Sequence, residues 1–104
     1  MDWNSKGYKR LIGAFIALDS EIEASHFLRD LMTEKEIKEF SNRFKAAEML
    51  ADAITYTIIE KETGLSSTTI ARVAKWLNST EGGYRSIINK LHHNDYIHPQ
   101  RRLS

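Results

Sequence analysis

Six polar side chains within residues 66–75 have the chemistry needed to bind a phosphate-rich partner. Four hydroxyls come first and two cations follow, in the order Ser66, Ser67, Thr68, Thr69, Arg72 and Lys75. Short hydroxyls can donate to phosphate oxygens or base edges, and the threonine methyl group can contact the methyl group of thymine. The cations add an attraction to phosphates that does not depend on base sequence. This segment therefore predicts double-stranded DNA as a partner.

Two short helices on either side of Gly64 would position those side chains. Residues 55–77 carry apolar residues at helical spacing before and after this glycine, and a helix-turn-helix requires a positive backbone φ in its turn. Ile70 and Val73 would then bury one face of the second helix. An ordinary αα-hairpin shows the same stripes, and Glu60 stands where crossing helices usually carry a small residue. Both interpretations stay open on the pattern alone.

The rest of the chain also has helical spacing, and the predicted fold class is all-α with six helices. The second and third helices begin with the spacing of capping boxes, Ser20 with Glu23 and Thr33 with Glu36. Apolar residues at intervals of three and four extend the third helix to about residue 52. It is the longest predicted element.

Composition limits the chain to one small domain. The 104 residues are 41% hydrophobic, and we assign residues 1–92 to the domain and 93–104 to a poorly ordered polar tail. The absence of cysteine excludes disulfides and thiol nucleophiles. No apolar run is long enough to span a membrane and no signal-peptide pattern is present, so we expect no membrane partner and a cytoplasmic location.

Charge is unevenly divided along the chain. Residues 1–62 hold 9 Lys and Arg against 12 Asp and Glu, a net charge of −3, whereas residues 63–104 hold 6 against 2, a net charge of +4. A basic C-terminal half suits a polyanionic partner, although a difference of this size also arises by chance in ordinary domains.

The other reactive side chains match no catalytic or metal-binding pattern. His92, His93 and His98 lack the spacing of ligands on one helix face, so no metal is predicted. Acidic pairs such as Glu36 with Glu39 fall on faces predicted to be exposed, where carboxylates are normally solvated. The sequence also has no phosphate-binding loop or nucleophile motif, so it does not predict an enzyme.

Four short motifs follow one another along the predicted helices. They are Thr33-Glu34-Lys35-Glu36, Asn42-Arg43-Phe44, residues 60–66 and Gly82-Gly83-Tyr84-Arg85. Over about residues 8–91 their order resembles the Trp repressor superfamily, and most closely its YerC/YecD branch. The resemblance implies an intertwined, Trp-repressor-like homodimer. Like other helix-turn-helix dimers, it would place its two units in successive major grooves, about 34 to 36 Å apart.

These observations imply a sequence-specific transcriptional regulator, with repression as the expected outcome. The hydroxyls of residues 66–69 would contact bases or phosphates, while Arg72, Lys75 and Arg85 would contact phosphates. The alternative is a helical protein-interaction module that has kept the hairpin and lost DNA binding. DNA binding through several cations weakens steeply with salt, which separates the two interpretations.

The resemblance also implies an effector pocket, in which two arginines stack on the ring of free tryptophan. Those arginines fall on Arg43 and Arg72, whereas the family's neighbouring glycine and serine are replaced by Val73 and Trp76. We expect the two larger side chains to fill the pocket, so that L-tryptophan is not a corepressor and no cofactor is required. The alternative role for the arginines is pairing with carboxylates such as Glu39 or with a partner chain.

Overall fold

Six α-helices make up residues 1–97, the part of the chain that the structure, a computed structural model, describes. They are α1 (Lys6–Ala17), α2 (Glu21–Leu31), α3 (Glu34–Ala51), α4 (Tyr56–Thr63), α5 (Ser67–Leu77) and α6 (Gly83–Ile97). These residues contain no strand, which confirms the all-α prediction. No helix among them is long and apolar enough to cross a membrane. The chain divides into two compact units, Met1–Ile37 and a second that begins at Lys38.

The first unit holds α1 and α2, and neither helix contributes a fully buried residue. Its main aromatic contact is between Phe15 and Phe27, whose rings meet edge to face with their centroids 5.6 Å apart. Other large apolar side chains stay in contact with solvent, and the exposed fraction reaches 78% for Ile16 and 70% for Ile22. A single chain therefore leaves apolar surface on this unit uncovered.

Both predicted capping patterns form at the starts of α2 and α3. The N–H of Glu23 donates to Ser20 Oγ at 3.1 Å, and the N–H of Glu36 donates to Thr33 Oγ1 at 3.1 Å. In return, the backbone N–H and the hydroxyl of Thr33 donate to the carboxylate of Glu36, which lowers the pKa of Glu36. The α3 cap is therefore complete above the ordinary glutamate pKa and weakens as the pH falls through the lowered value.

The core of the second unit is built from four helices. Its buried apolar residues are Ala46, Ala47, Ile59, Ile70, Val73, Leu77 and Ile88. Helix α5 supplies three of them and packs against both α4 and α6. The helix that carries the predicted DNA-contacting side chains is thus held rigidly from two sides.

The end of α6 differs from the sequence-based expectation. The polar tail was expected from residue 93, but α6 continues to Ile97, so residues 93–97 are helical. Polar residues can extend an existing helix because propagation adds a backbone hydrogen bond for each residue fixed. The remainder of the predicted tail, including His98, lies outside the described residues. The division at Lys38 also falls inside the range 1–92 assigned to one domain.

The turn between α3 and α4 contains Ala53, which has a φ of 60°. Left-handed backbone costs an L-residue about 1 to 2 kcal/mol, part of which a glycine loses again through its greater freedom when unfolded. We expect Ala53→Gly to raise the free energy of unfolding by about 0.5 to 1 kcal/mol in urea denaturation. The matched control is Ala71→Gly within α5, which should lower the free energy by about 1 kcal/mol. Equal losses for both variants would contradict the strained turn.

Candidate nucleic-acid interface

The turn between α4 and α5 has the geometry of a helix-turn-helix. Gly64 ends α4 with a φ of 73°, and its N–H donates to the carbonyl of Glu60 at 2.8 Å. A Cβ at this position would meet no atom within 4 Å, so the glycine is required by its backbone angle and not by space. Leu65 packs against the core immediately after the turn, as the sequence predicted.

Thr63 holds this turn together, a role that the sequence analysis missed. It is the only buried polar residue described in the chain, and its hydroxyl donates to the carbonyl of Ile59 at 2.7 Å. The same oxygen accepts from the N–H of Leu65 at 3.2 Å, so one side chain bridges the end of α4 and the start of the turn. A threonine directly before the turn glycine is the signal that could have indicated it.

The hydroxyls at the start of α5 have two different roles. Ser66 is the N-cap: its Oγ accepts from the N–H of Thr69 at 3.2 Å and its hydroxyl donates to Thr69 Oγ1 at 3.1 Å. Both side chains of this pair thus contribute to the helix start. Ser67 and Thr68 lie between them and are exposed to solvent. These two are the best placed of the four predicted hydroxyls to contact a ligand.

The predicted cations lie on the exposed surface of the second unit. Arg72 and Lys75 are exposed on α5, and Arg85 of α6 donates to Asn78 Oδ1 at 3.1 Å. That hydrogen bond places the guanidinium of Arg85 beside the C-terminal end of α5. Residues 64–80 contain no acidic residue, so the surface of α5 carries positive charge alone.

The four residues predicted to form the effector pocket have separate surroundings. Arg43 on α3 is half-buried: its Nη2 lies 3.5 Å from Glu39 Oε2, and its Nε is buried without a hydrogen-bond partner. The pairing with Glu39 is the alternative that the sequence left open. Val73 is 3% exposed within the core, Trp76 is 52% exposed, and Arg72 is exposed. Trp76 therefore does not fill a cavity within the chain.

Metal-binding chemistry finds no support among the residues that the structure describes. Over residues 1–97 there is no group of three or more His, Asp and Glu side chains arranged to hold a metal ion. His92 and His93 are exposed on α6.

Helices α4 and α5 with their turn define a helix-turn-helix protein. The chain belongs to the Trp repressor family, whose model, described as "Trp repressor protein", matches residues 6–92. This is a family of regulators. The chain is 34% identical over 86 residues to "Uncharacterized protein YerC" of Bacillus subtilis (strain 168), a match that covers 83% of each chain. The predicted YerC-like branch is thereby confirmed.

Solved structures support the same assignment. The chain is similar to a TrpR like protein from Eubacterium eligens ATCC 27750, with a TM-score of 0.81 and 34% identity, over 86% of this chain and 93% of that one. A second structure, of a protein from Staphylococcus aureus, gives a TM-score of 0.80 and 30% identity, over 88% of this chain and 95% of that one. The fold is therefore that of the Trp repressor family.

Proposed function

We propose that the protein is a cytoplasmic, sequence-specific DNA-binding repressor of transcription that acts as a homodimer. The observation that carries the proposal is the arrangement of α5, which is anchored in the core on one face and presents hydroxyls and cations without acids on the other. Its N-terminal end would enter the major groove, where side chains reach base edges. The cations Arg72, Lys75 and Arg85 would hold the phosphates on either side.

The dimer follows from the apolar surface of the first unit. Ile16 and Ile22 are mostly exposed in a single chain, and burying such side chains between two copies removes their contact with water. A two-fold axis would also provide two copies of α5, as a palindromic operator requires. Selection of bound fragments from genomic DNA by the purified protein tests the proposal. Recovery of a shared, two-fold symmetric sequence supports it, and recovery of no enriched sequence contradicts it.

Substitutions on α5 should separate contacts to bases from contacts to phosphates. We expect Thr68→Ala or Thr69→Ala to cost about 1 to 3 kcal/mol on the selected sequence and to change which sequence is preferred. Lys75→Ala should weaken binding to every duplex alike and reduce the slope of log affinity against log salt by about 1. Because Thr69 also accepts from Ser66, circular dichroism checks that α5 is intact. Equal losses on all duplexes for all three variants would exclude base recognition by α5.

L-Tryptophan is not the corepressor in this proposal. Val73 is fixed in the core next to Arg72, and Trp76 lies one helical turn beyond Arg72, so a ring stacked on Arg72 would meet added bulk. Overpacking of this kind costs about 1 to 3 kcal/mol or more, a roughly tenfold to hundredfold loss of affinity. We expect calorimetry to show no physiologically relevant binding and DNA affinity to be the same with and without L-tryptophan. Saturable binding near 10 µM that improves DNA affinity, about −7 kcal/mol by the usual conversion, would refute this.

The rival function is a protein-interaction module that uses the same hairpin. Exposed Ile58 on α4 and Trp76 on α5 would then contact a partner protein. A mainly apolar protein interface changes little with salt, whereas a phosphate interface weakens steeply. A complex that persists in high salt and excludes DNA would favour the rival.

A further inference from the structure

Trp76 is a large aromatic side chain exposed on the helix that otherwise carries the predicted DNA contacts. Its exposed fraction is 52%, whereas the apolar residues on either side of it along the helix face, Val73 and Leu77, are 3% and 2% exposed. The indole therefore points away from the core that the other apolar residues of α5 build. Lys75 lies beside it, with Nζ 5.8 Å from the ring.

The position of Trp76 along α5 places it at the level of the phosphates when the helix occupies the groove. At 1.5 Å per residue, Trp76 lies about 13.5 Å along the helix axis from Ser67. The major groove is about 8.5 Å deep, so a helix that enters by its N-terminal end keeps its ninth following residue outside the base edges. A side chain at that height meets sugars and phosphates.

The charge around Trp76 favours a polyanion over a second protein. Arg72 precedes it by one turn, Lys75 contacts its ring, and no acidic residue occurs within residues 64–80. The indole Nε1–H is a hydrogen-bond donor with no acceptor function, which suits a phosphate oxygen. The ring itself offers an apolar face to deoxyribose.

We propose that Trp76 contacts the DNA backbone, donating its indole N–H to a phosphate oxygen while Lys75 neutralises the adjoining phosphate. This inference rests on the proposed function and extends it to a neutral, sequence-independent contact at the C-terminal end of α5. It adds affinity without counterion release, because the indole carries no charge.

Two variants separate this contact from a structural role. Trp76→Phe keeps an aromatic ring and removes the donor, and we expect it to weaken binding about tenfold, the effect of losing one hydrogen bond to a charged group. The salt slope should stay unchanged, in contrast to the loss of about 1 for Lys75→Ala. Thermal unfolding should be unaffected, since the ring is half exposed. Unaltered affinity for Trp76→Phe, or a changed salt slope, overturns the proposal.

Fluorescence tests the contact directly, with Trp3→Phe used as the background because the chain has two tryptophans. The probe is a dye-labelled duplex that the protein has selected from a random-sequence pool, so anisotropy reports binding while acrylamide quenching reports the exposure of Trp76. We expect quenching to fall when anisotropy saturates. Unchanged quenching at saturation, or an indole already protected without DNA, overturns the Trp76 proposal alone. If the pool yields no bound duplex, the proposed function itself fails and this inference fails with it.

Discussion

Ile70→Ala is expected to lower the free energy of unfolding by about 2 to 5 kcal/mol and to abolish DNA binding at moderate temperature. Ile70 is fully buried where α5 packs against α4 and α6, so removing its side chain leaves a cavity under the recognition helix. Urea denaturation at one fixed protein concentration measures the loss, because the stability of a dimer depends on concentration.

The matched control for Ile70→Ala is Thr68→Ala, two residues earlier on the same helix. Thr68 is exposed, so its truncation should change the free energy of unfolding by less than about 0.5 kcal/mol. A loss below about 0.5 kcal/mol for Ile70→Ala as well would mean that α5 is not anchored through this face.

Ile16→Asp should convert the protein from a dimer of 12.0 kDa chains into monomers that are poorly folded. In the proposed dimer the exposed side chain of Ile16 is covered by the second copy, and a buried unpaired carboxylate there costs several kcal/mol. Sedimentation at micromolar concentration measures the mass. The control is Ala71→Asp, which adds the same charge at an exposed position of α5 and should leave the dimer intact. A stable, fully folded 12.0 kDa wild-type species at that concentration would contradict the dimer.

Local signals were sufficient to predict the helices and the turn. The capping residues Ser20 and Thr33 gave the starts of α2 and α3, and Gly64 gave the turn, because each acts through hydrogen bonds or backbone angles within its own segment. Apolar spacing also identified Ile70 and Val73 as buried.

Contacts that depend on the folded arrangement could not be predicted in this way. The left-handed conformation of Ala53 has no residue signature, since alanine favours helices. The hydrogen bond between Arg85 and Asn78 joins two helices across a loop, and the double role of Thr63 depends on where the turn brings Leu65. The exposure of Trp76 differs from the expectation of a filled pocket for the same reason: only packing decides which side of α5 faces the core.

Direct measurement of the salt dependence of DNA affinity tests the central claim, that α5 binds duplex DNA through its cations. Three cations in each subunit, Arg72, Lys75 and Arg85, would neutralise about six phosphates in the dimer, which predicts a slope of log affinity against log salt of about −5 on the selected duplex. Lys75→Ala, which removes two of those contacts in a dimer, provides the internal comparison. A slope near −5 supports the account. A slope near zero, or no duplex bound at low salt, contradicts it.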